Sequence, residues 1–159
     1  MSDQHERFWE ILSGMQVCMV TTEDEGVLRS RPMAPFVSAL DKTIQFVTDS
    51  GSAKIFELNK DADIALSFVD SSRMLFASVS GKGIVSYDRA LIRELWGPYC
   101  DVFLEGGAEN ADVAVIQVDP TQAEYWDNDK NKVAMAAEMT RAYFSDDGPN
   151  LGENAKLSL

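Results

Sequence analysis

Residues 27–60 read V-L-R-S-R-P-M-A-P-F-V-S-A-L-D-K-T-I-Q-F-V-T-D-S-G-S-A-K-I-F-E-L-N-K, and this stretch decides the fold. Its apolar and β-branched runs at 28–37 and 43–48 predict two strands. A loop of small polar residues follows, and Ser52 predicts the start of a helix that runs to about residue 59. Strands joined by so short a turn pair as a hairpin, which favours an antiparallel sheet.

Two prolines interrupt the first of these strands. Pro32 and Pro35 lack the amide hydrogen that a ladder needs, so the strand lies at a sheet edge, is bulged, or faces a flat ligand instead of a neighbouring strand. Arg31 and Met33 are two residues apart and therefore point to the same face. Two interpretations of Arg31 remain open: a surface arginine on an edge strand, or a cation that binds a ligand.

The charge of this stretch is opposite to that of the whole chain. Residues 27–60 hold five Lys/Arg and three Asp/Glu, a net charge of +2, whereas the chain carries −12. This contrast favours a small anionic ligand, because the remaining acidic surface repels nucleic acid and anionic membranes. At the predicted helix start, unpaired amides, the helix dipole, Ser52 and Lys54 together favour a phosphate. The alternative is an ordinary serine cap beside a solvent-exposed lysine.

The remaining sequence predicts a mostly β fold with short α-helices. Hairpin-linked strands without βαβ spacing, G-x-G-x-x-G or a P-loop favour a small, mostly antiparallel barrel. Gly81 and Gly83 inside a strand indicate a bulge or sharp bend. We predict one domain over residues 1–145 and a flexible tail over 146–159. Further strands are predicted at 17–22, 64–69, 74–85, 113–118 and 122–126, and further helices at 2–13, 89–96 and 132–143.

The numbers of histidine and cysteine residues exclude several kinds of catalytic and metal site. The chain of 159 residues is 45% hydrophobic and 25% charged, which is typical of a globular protein. His5 is its only histidine, so the sequence lacks a Cys/His zinc cluster and a Ser-His-Asp set. We therefore expect any catalysis to depend on a bound cofactor. Cys18 and Cys100 have no metal-binding spacing, and we expect Cys18 to be a buried thiol in a cytoplasmic protein without signal peptide or membrane span.

Several short motifs together resemble a known family. R-P-M on the proline-bearing strand, F-V-T on the next strand and S-x-K at the helix start resemble the flavin-binding split barrels of the pyridoxamine 5′-phosphate oxidase-like superfamily. G-K-G-I-V-S-Y-D at 81–88, L-W at 95–96 and E-Y-W-D at 124–127 look like its general stress protein 26 branch. The resemblance covers residues 8–127 and implies a six-stranded, largely antiparallel split β-barrel of the FMN-binding type.

The resemblance also implies a cofactor and a partner: FMN, with FAD as the alternative, at the interface of a homodimer. Arg31 and Lys54 would bind the phosphate, and the backbone around Pro32 would run beside the isoalloxazine ring. Trp126 either reaches the flavin of the other subunit or closes the barrel core. The cofactor-binding residues implied in this way are Arg31, Pro32, Met33, Val47, Thr48, Ser52, Lys54 and Trp126.

The chain departs from the vitamin oxidases of this superfamily where they bind charged groups. Ala53 replaces one phosphate-binding arginine, Phe36-Val37 replaces a lysine, and Leu75-Phe76 replaces an Arg-Gln pair. After Trp126 the segment Asp127-Asn128-Asp129 is acidic, where the vitamin oxidases carry arginine. These departures disfavour an oxidase that acts on an anionic phosphate ester.

Three functions remain open at this stage. The first is an FMN-dependent oxidoreductase, linked to stress, that acts on an unknown small molecule. The second is a flavin-binding protein without turnover, such as a store or sensor. The third is a split barrel that binds haem or a deazaflavin, which the single histidine and the modest cationic charge disfavour.

Overall fold

The computed structural model describes residues 3–128 and 132–159. Their strands form one sheet in the order β2-β1-β5-β6-β7-β4-β3, with β8 also paired to β7, and every pairing is antiparallel. The strands are β1 (Cys18–Asp24), β2 (Val27–Met33), β3 (Phe36–Ser38), β4 (Thr43–Asp49), β5 (Asp63–Asp70), β6 (Leu75–Ser86), β7 (Val113–Asp127) and β8 (Glu153–Ser158). The helices are α1 (Asp3–Ser13), α2 (Ala53–Lys60), α3 (Arg89–Leu95), α4 (Pro98–Phe103) and α5 (Lys132–Tyr143).

The predicted fold class is confirmed, a mostly β, antiparallel split barrel with short helices, but the described residues form eight strands instead of six. One extra strand arises because Pro35 interrupts the segment at 28–37 and separates β2 from β3. Pro32 remains within β2, which pairs only with β1 among the described strands. The edge position proposed for the proline-bearing strand is therefore confirmed.

Strand β7 is the long strand along which the sheet divides. Its first half pairs with β4 and its second half with β8, while β6 runs along its other side. We predicted two strands here, interrupted at Asp119-Pro120, and that interruption is wrong. A bulge absorbs the proline, because Ser80 pairs with Gln122 and Gly81 pairs with Pro120, leaving Thr121 as the extra residue. The strand glycine thus marks a bulge, as predicted.

The prediction of a flexible tail over 146–159 is wrong for residues 153–158. These residues form β8, which pairs with β7 from Gln122↔Ser158 to Asp127↔Glu153. Ala155 and Leu157 are only 5% and 6% exposed and join the core, so burial of their side chains orders the segment. The composition of residues 146–152 suggested disorder because the apolar alternation begins only after them.

The barrel interior holds the main core, and helices close it. From α1, Phe8 and Leu12 are fully buried, and Trp9 packs beside Phe8. Cys18 is buried too, and burial raises the pKa of its thiol to about 12, so the buried-thiol interpretation is confirmed. A second, smaller cluster lies outside the barrel, where Ile92 of α3 packs on Val113 and Val115 of β7.

Candidate functional site

Arg31 lies on the interior face of edge strand β2, opposite Val20 of β1. Its Nη2 donates to Oε2 of Glu57 on α2 at 2.8 Å, and its Nη1 donates to Oγ1 of Thr22 on β1. The Thr22 hydroxyl in turn donates to Oε2 of Glu57. Three elements are therefore joined by one closed network, in which the Arg31 side chain is 23% exposed and that of Glu57 only 4%.

Glu57 is ionised within this network. Burial raises the pKa of its carboxyl, but the hydrogen bond from Thr22 and the charge and hydrogen bond of Arg31 outweigh burial, so the net pKa lies below the ordinary glutamate value. A buried carboxylate needs such partners, because an unpaired one would be expensive to desolvate. Thr22 and Glu57 consequently fix the Arg31 guanidinium, which keeps further N–H donors available.

Lys54 stands near Arg31 and lacks a comparable partner. It is half-buried at the start of α2, and among the described residues its ammonium makes no hydrogen bond or ion pair. Burial, and then the positive charge of Arg31, lower its pKa, against weaker opposing effects of Asp49 and Glu57. A half-buried ammonium is disfavoured by its desolvation and by repulsion from a second cation, and a bound anion would offset both effects.

The start of α2 leaves its amides open. Ser52 occupies the N-cap position, but its side chain does not cap the helix: its Oγ donates instead to the Asp49 carbonyl at 2.8 Å. The Gly51 amide donates to Oδ1 of Asp49 at 2.6 Å, which folds the loop back on itself. Within the described chain, the amides of Ala53 and Lys54 therefore have no partner, and the positive end of the helix dipole adds to the two nearby cations.

The structure brings together only some of the predicted cofactor-binding residues. Thr48 is buried at the end of β4, one residue before the loop that leads to Ser52, and Met33 packs against the core from the same face as Arg31. Pro32 is exposed on β2. Val47 differs, because its side chain lies on the other face of β4 and packs on the cluster around Ile92. Its side chain does not reach the cations.

Trp126 lies on the outer face of β7, away from this cluster. It is half-buried and pairs in register with Phe76 of β6 and Asn154 of β8. Its neighbour Tyr125 is fully buried in the core. The alternative of a core tryptophan is therefore wrong, because strand alternation assigns that place to Tyr125.

Sequence reasoning missed Thr22 and Glu57. Both are polar residues in elements that the sequence predicts correctly, and both are buried, at 1% and 4% exposure. Glu57 follows Lys54 by three residues on the same helix, and this spacing was the only available signal. Their pairing with Arg31 joins residues 9 and 26 positions apart, which no local pattern displays.

Neither a metal-binding cluster nor a membrane-spanning helix is found among the described residues. Among residues 3–128 and 132–159, no group of three or more His, Cys, Asp or Glu side chains is placed to hold a metal ion. No helix in the described part of the chain has the length and apolar character needed to cross a membrane.

The comparisons with known proteins agree with this fold. The family model described as pyridoxamine 5′-phosphate oxidase like matches residues 3–150. The chain belongs to the pyridoxamine 5′-phosphate oxidase-like family. Protein bli-3 of Neurospora crassa is 32% identical over 136 residues, which is 77% of this chain. The chain spans 64% of the length of that curated relative.

Solved structures of this family share the split barrel. The general stress protein 26 of Jannaschia sp. CCS1 superposes with a TM-score of 0.80 at 24% identity, over the whole of both chains. The general stress FMN/FAD binding protein of Xanthomonas citri has a TM-score of 0.69 at 28% identity, over 80% of this chain and 90% of its own. The resemblance to the general stress protein 26 branch is confirmed.

Proposed function

We propose that this chain is a cytoplasmic FMN-binding protein that acts as a flavin-dependent oxidoreductase on a small molecule. The observation that carries the proposal is Lys54: a half-buried ammonium without a partner among the described residues, beside Arg31 and the open amides of α2. This set suits a terminal phosphate, which offers several acceptor oxygens and negative charge. The related Xanthomonas citri protein, which binds FMN or FAD, supports a flavin as the phosphate carrier.

Each residue has a specific part in holding the cofactor. Arg31, fixed by Glu57 and Thr22, and Lys54 would neutralise the phosphate, while the amides of Ala53 and Lys54 would donate to its oxygens. The backbone from Pro32 to Met33 would lie along the ring, because the free side of edge strand β2 carries no neighbouring strand in the described sheet. A bound flavin supplies the electron transfer that no side chain here can perform.

We propose that the protein works as a homodimer. The outer face of the sheet carries an apolar row in which Val69 of β5 pairs with Phe76 of β6 and Phe76 pairs with Trp126 of β7. Val69 is 61% exposed, and Met19 on the same face is 40% exposed. A second copy would cover this row, and Trp126 of one protomer would then reach the flavin of the other.

A second candidate is a flavin store or sensor without turnover, and one observation favours it. Glu57, the carboxylate of the site, is ionised and paired with Arg31, and the only histidine of the sequence, His5, lies on α1 and contacts the Ser158 carbonyl at 3.2 Å, away from the site. A catalytic role would therefore require protons to come from the substrate or from water.

The phosphate assignment is tested by titrating the purified protein with FMN, FAD and riboflavin and recording flavin absorbance and fluorescence. We expect FMN to bind at least tenfold more tightly than riboflavin, because charge-assisted hydrogen bonds contribute about 1.5–3 kcal/mol. Equal affinities for FMN and riboflavin would contradict the phosphate assignment. If FAD binds more tightly than FMN, FAD is the cofactor. Bleaching of the bound flavin by NADH or NADPH then separates an oxidoreductase from a store.

A further inference from the structure

We infer that the phosphate site at the start of α2 continues towards Arg29 and Phe56 and binds the adenosine diphosphate part of FAD. Arg29 would contact the second phosphate, and the Phe56 ring would stack on the adenine. Arg29 and Phe56 are called the adenylate site below. It rests on the proposed function, because FAD would reach these two residues only with its first phosphate at Lys54 and Arg31.

Arg29 adds a further positive charge to the face of β2 that carries Arg31. It lies two residues before Arg31 and opposite Thr22 of β1, so strand alternation places both arginine side chains on one face. Against the effect of burial, the Thr22 hydrogen bond, the charge of Arg31 and then the charge of Arg29 lower the pKa of the Glu57 carboxyl. The Arg29 guanidinium therefore acts within the same electrostatic cluster as Arg31.

The Arg29 guanidinium has no strong partner in the described part of the chain. Its Nε lies 3.7 Å from Oδ2 of Asp24, which is too long for a hydrogen bond, and its side chain is 61% exposed. Glu57, the other acid near it, is 4% exposed and paired with Arg31, so it does not compete for Arg29. An exposed ion pair contributes little, and the planar guanidinium matches the paired oxygens of a phosphate better than a distant carboxylate does.

The direction of β2 places Arg29 where a second phosphate would lie. In the proposed function the flavin ring runs along residues 32–33 and the first phosphate lies at Arg31. Residues two apart on a strand are separated by about 6.6 Å, so Arg29 is one step beyond Arg31 on the side away from the ring. FAD continues past its first phosphate in that direction. Ala53, the first residue of α2, is small and exposed and leaves this side of the site open.

Phe56 is an exposed aromatic ring beside the same opening. It follows Ala53 by three residues, so the two side chains are neighbours on the surface of α2. Phe56 is 61% exposed, whereas Ile55 and Leu58 of the same helix are buried. Among the described residues it is paired with no other aromatic ring. An isolated exposed ring is common on protein surfaces, but one that adjoins a phosphate site offers a stacking platform to a nucleobase.

Titration of the full chain with FMN, FAD and riboflavin, followed by flavin fluorescence, tests the adenylate site. We expect the wild type to bind FAD at least as tightly as FMN. Arg29→Gln and Phe56→Ser should each weaken FAD binding by about fivefold or more, while FMN affinity changes by less than about twofold, because FMN reaches neither side chain. Phe56→Trp should keep the wild-type affinity for FAD, since it retains a stacking ring.

Arg93→Gln and Phe144→Ser are the matched controls, because both side chains are exposed and lie on other parts of the chain. Neither control should change the affinity for FAD or FMN. Equal losses of FMN and FAD affinity in Arg29→Gln would assign Arg29 to the first phosphate and overturn the adenylate site. Unchanged FAD affinity in Arg29→Gln and Phe56→Ser would overturn it as well, while tighter binding of FMN than of riboflavin would leave the proposed function intact. Equal affinities of the wild type for all three flavins would contradict both.

Discussion

Nη2 of Arg31 lies 2.8 Å from Oε2 of Glu57, and this ion pair fixes edge strand β2 to helix α2. Thr22 bonds to both partners and connects the pair to β1. Glu57 therefore neutralises one of the two cations at the start of α2 and leaves Lys54 uncompensated. The site thus combines an arginine that is fixed by an ion pair with a lysine that has no such partner among the described residues.

Replacing Glu57 by Gln should destabilise the fold by about 1.5–3 kcal/mol at pH 7, because the partly buried Arg31 loses its ionised partner. The folded pKa of Glu57 is lowered, so its contribution is present above the unfolded value of about 4.3 and is lost as pH falls through the folded value. Urea unfolding of the wild type and of Glu57→Gln at pH 7 and pH 3, followed by circular dichroism, measures their free energies of unfolding. The difference between the two proteins should be smaller at pH 3.

Glu25→Gln is the matched control for this experiment. Its carboxylate lies 3.5 Å from Lys60, and both side chains are largely exposed, at 83% and 63%. Exposed pairs of this kind contribute about 0–1 kcal/mol, so this variant should match the wild type closely at both pH values. A difference between wild type and Glu57→Gln that is the same at pH 7 and pH 3 would contradict an ionised Glu57.

The protonation state of Lys54 should make FMN affinity depend on pH. Because burial and Arg31 lower its pKa, the ammonium loses its proton below the ordinary lysine value of about 10.4. FMN affinity should therefore fall as pH rises through that lowered value, while the phosphate remains fully ionised. Fluorescence titration between pH 7 and pH 10 measures this fall, and riboflavin measured in parallel corrects for titration of the ring.

Lys54→Gln should weaken FMN binding by about 1.5–3 kcal/mol at pH 7 and remove the pH dependence. Lys60→Gln, at the exposed end of the same helix, should do neither. If Lys54→Gln retains the wild-type pH profile, another group binds the phosphate.

The sequence was sufficient to predict the elements that local patterns define. Pro32 indicated a sheet edge, a bulge or a flat ligand beside its strand, and Gly81 indicated a bulge or a sharp bend; the structure shows the edge and the bulge. Each prediction followed from a residue whose physical requirement is local. The position of the serine and lysine at the start of α2 followed from capping rules in the same way. These predictions needed no knowledge of distant partners.

The features that were missed depend on distant partners. Glu57 is buried only because Arg31, 26 residues earlier, meets it across the edge of the barrel. Residues 153–158 are ordered only because β7 continues beyond β4 and offers a free side for pairing. Each depends on tertiary contacts that a local pattern does not contain.

The eighth strand yields a stability prediction. Leu157 is 6% exposed and faces the core, whereas its neighbour Lys156 points to the other face of β8. Leu157→Ala should reduce the free energy of unfolding by about 2–3 kcal/mol, because it removes buried methyl groups and leaves a cavity. Lys156→Ala should change it by less than about 0.5 kcal/mol. Similar free energies of unfolding for the two variants, measured with urea, would indicate that residues 153–158 are a flexible tail instead of a packed strand.

The bulge between β6 and β7 yields the last prediction. A Cβ atom at Gly81 would lie 2.2 Å from the Asp119 carbonyl oxygen and 2.8 Å from Cα of Pro120, so both obstructing atoms belong to the backbone. Backbone cannot yield as a flexible side chain does, and Gly81→Ala should therefore destabilise the fold by about 3 kcal/mol or more. Gly97→Ala is the control, since no atom lies within 4 Å of its Cβ position and its φ of −159° suits any residue. Thermal unfolding should separate the two variants clearly; equal midpoints would show that Pro120 is accommodated without the close approach of β6 and β7.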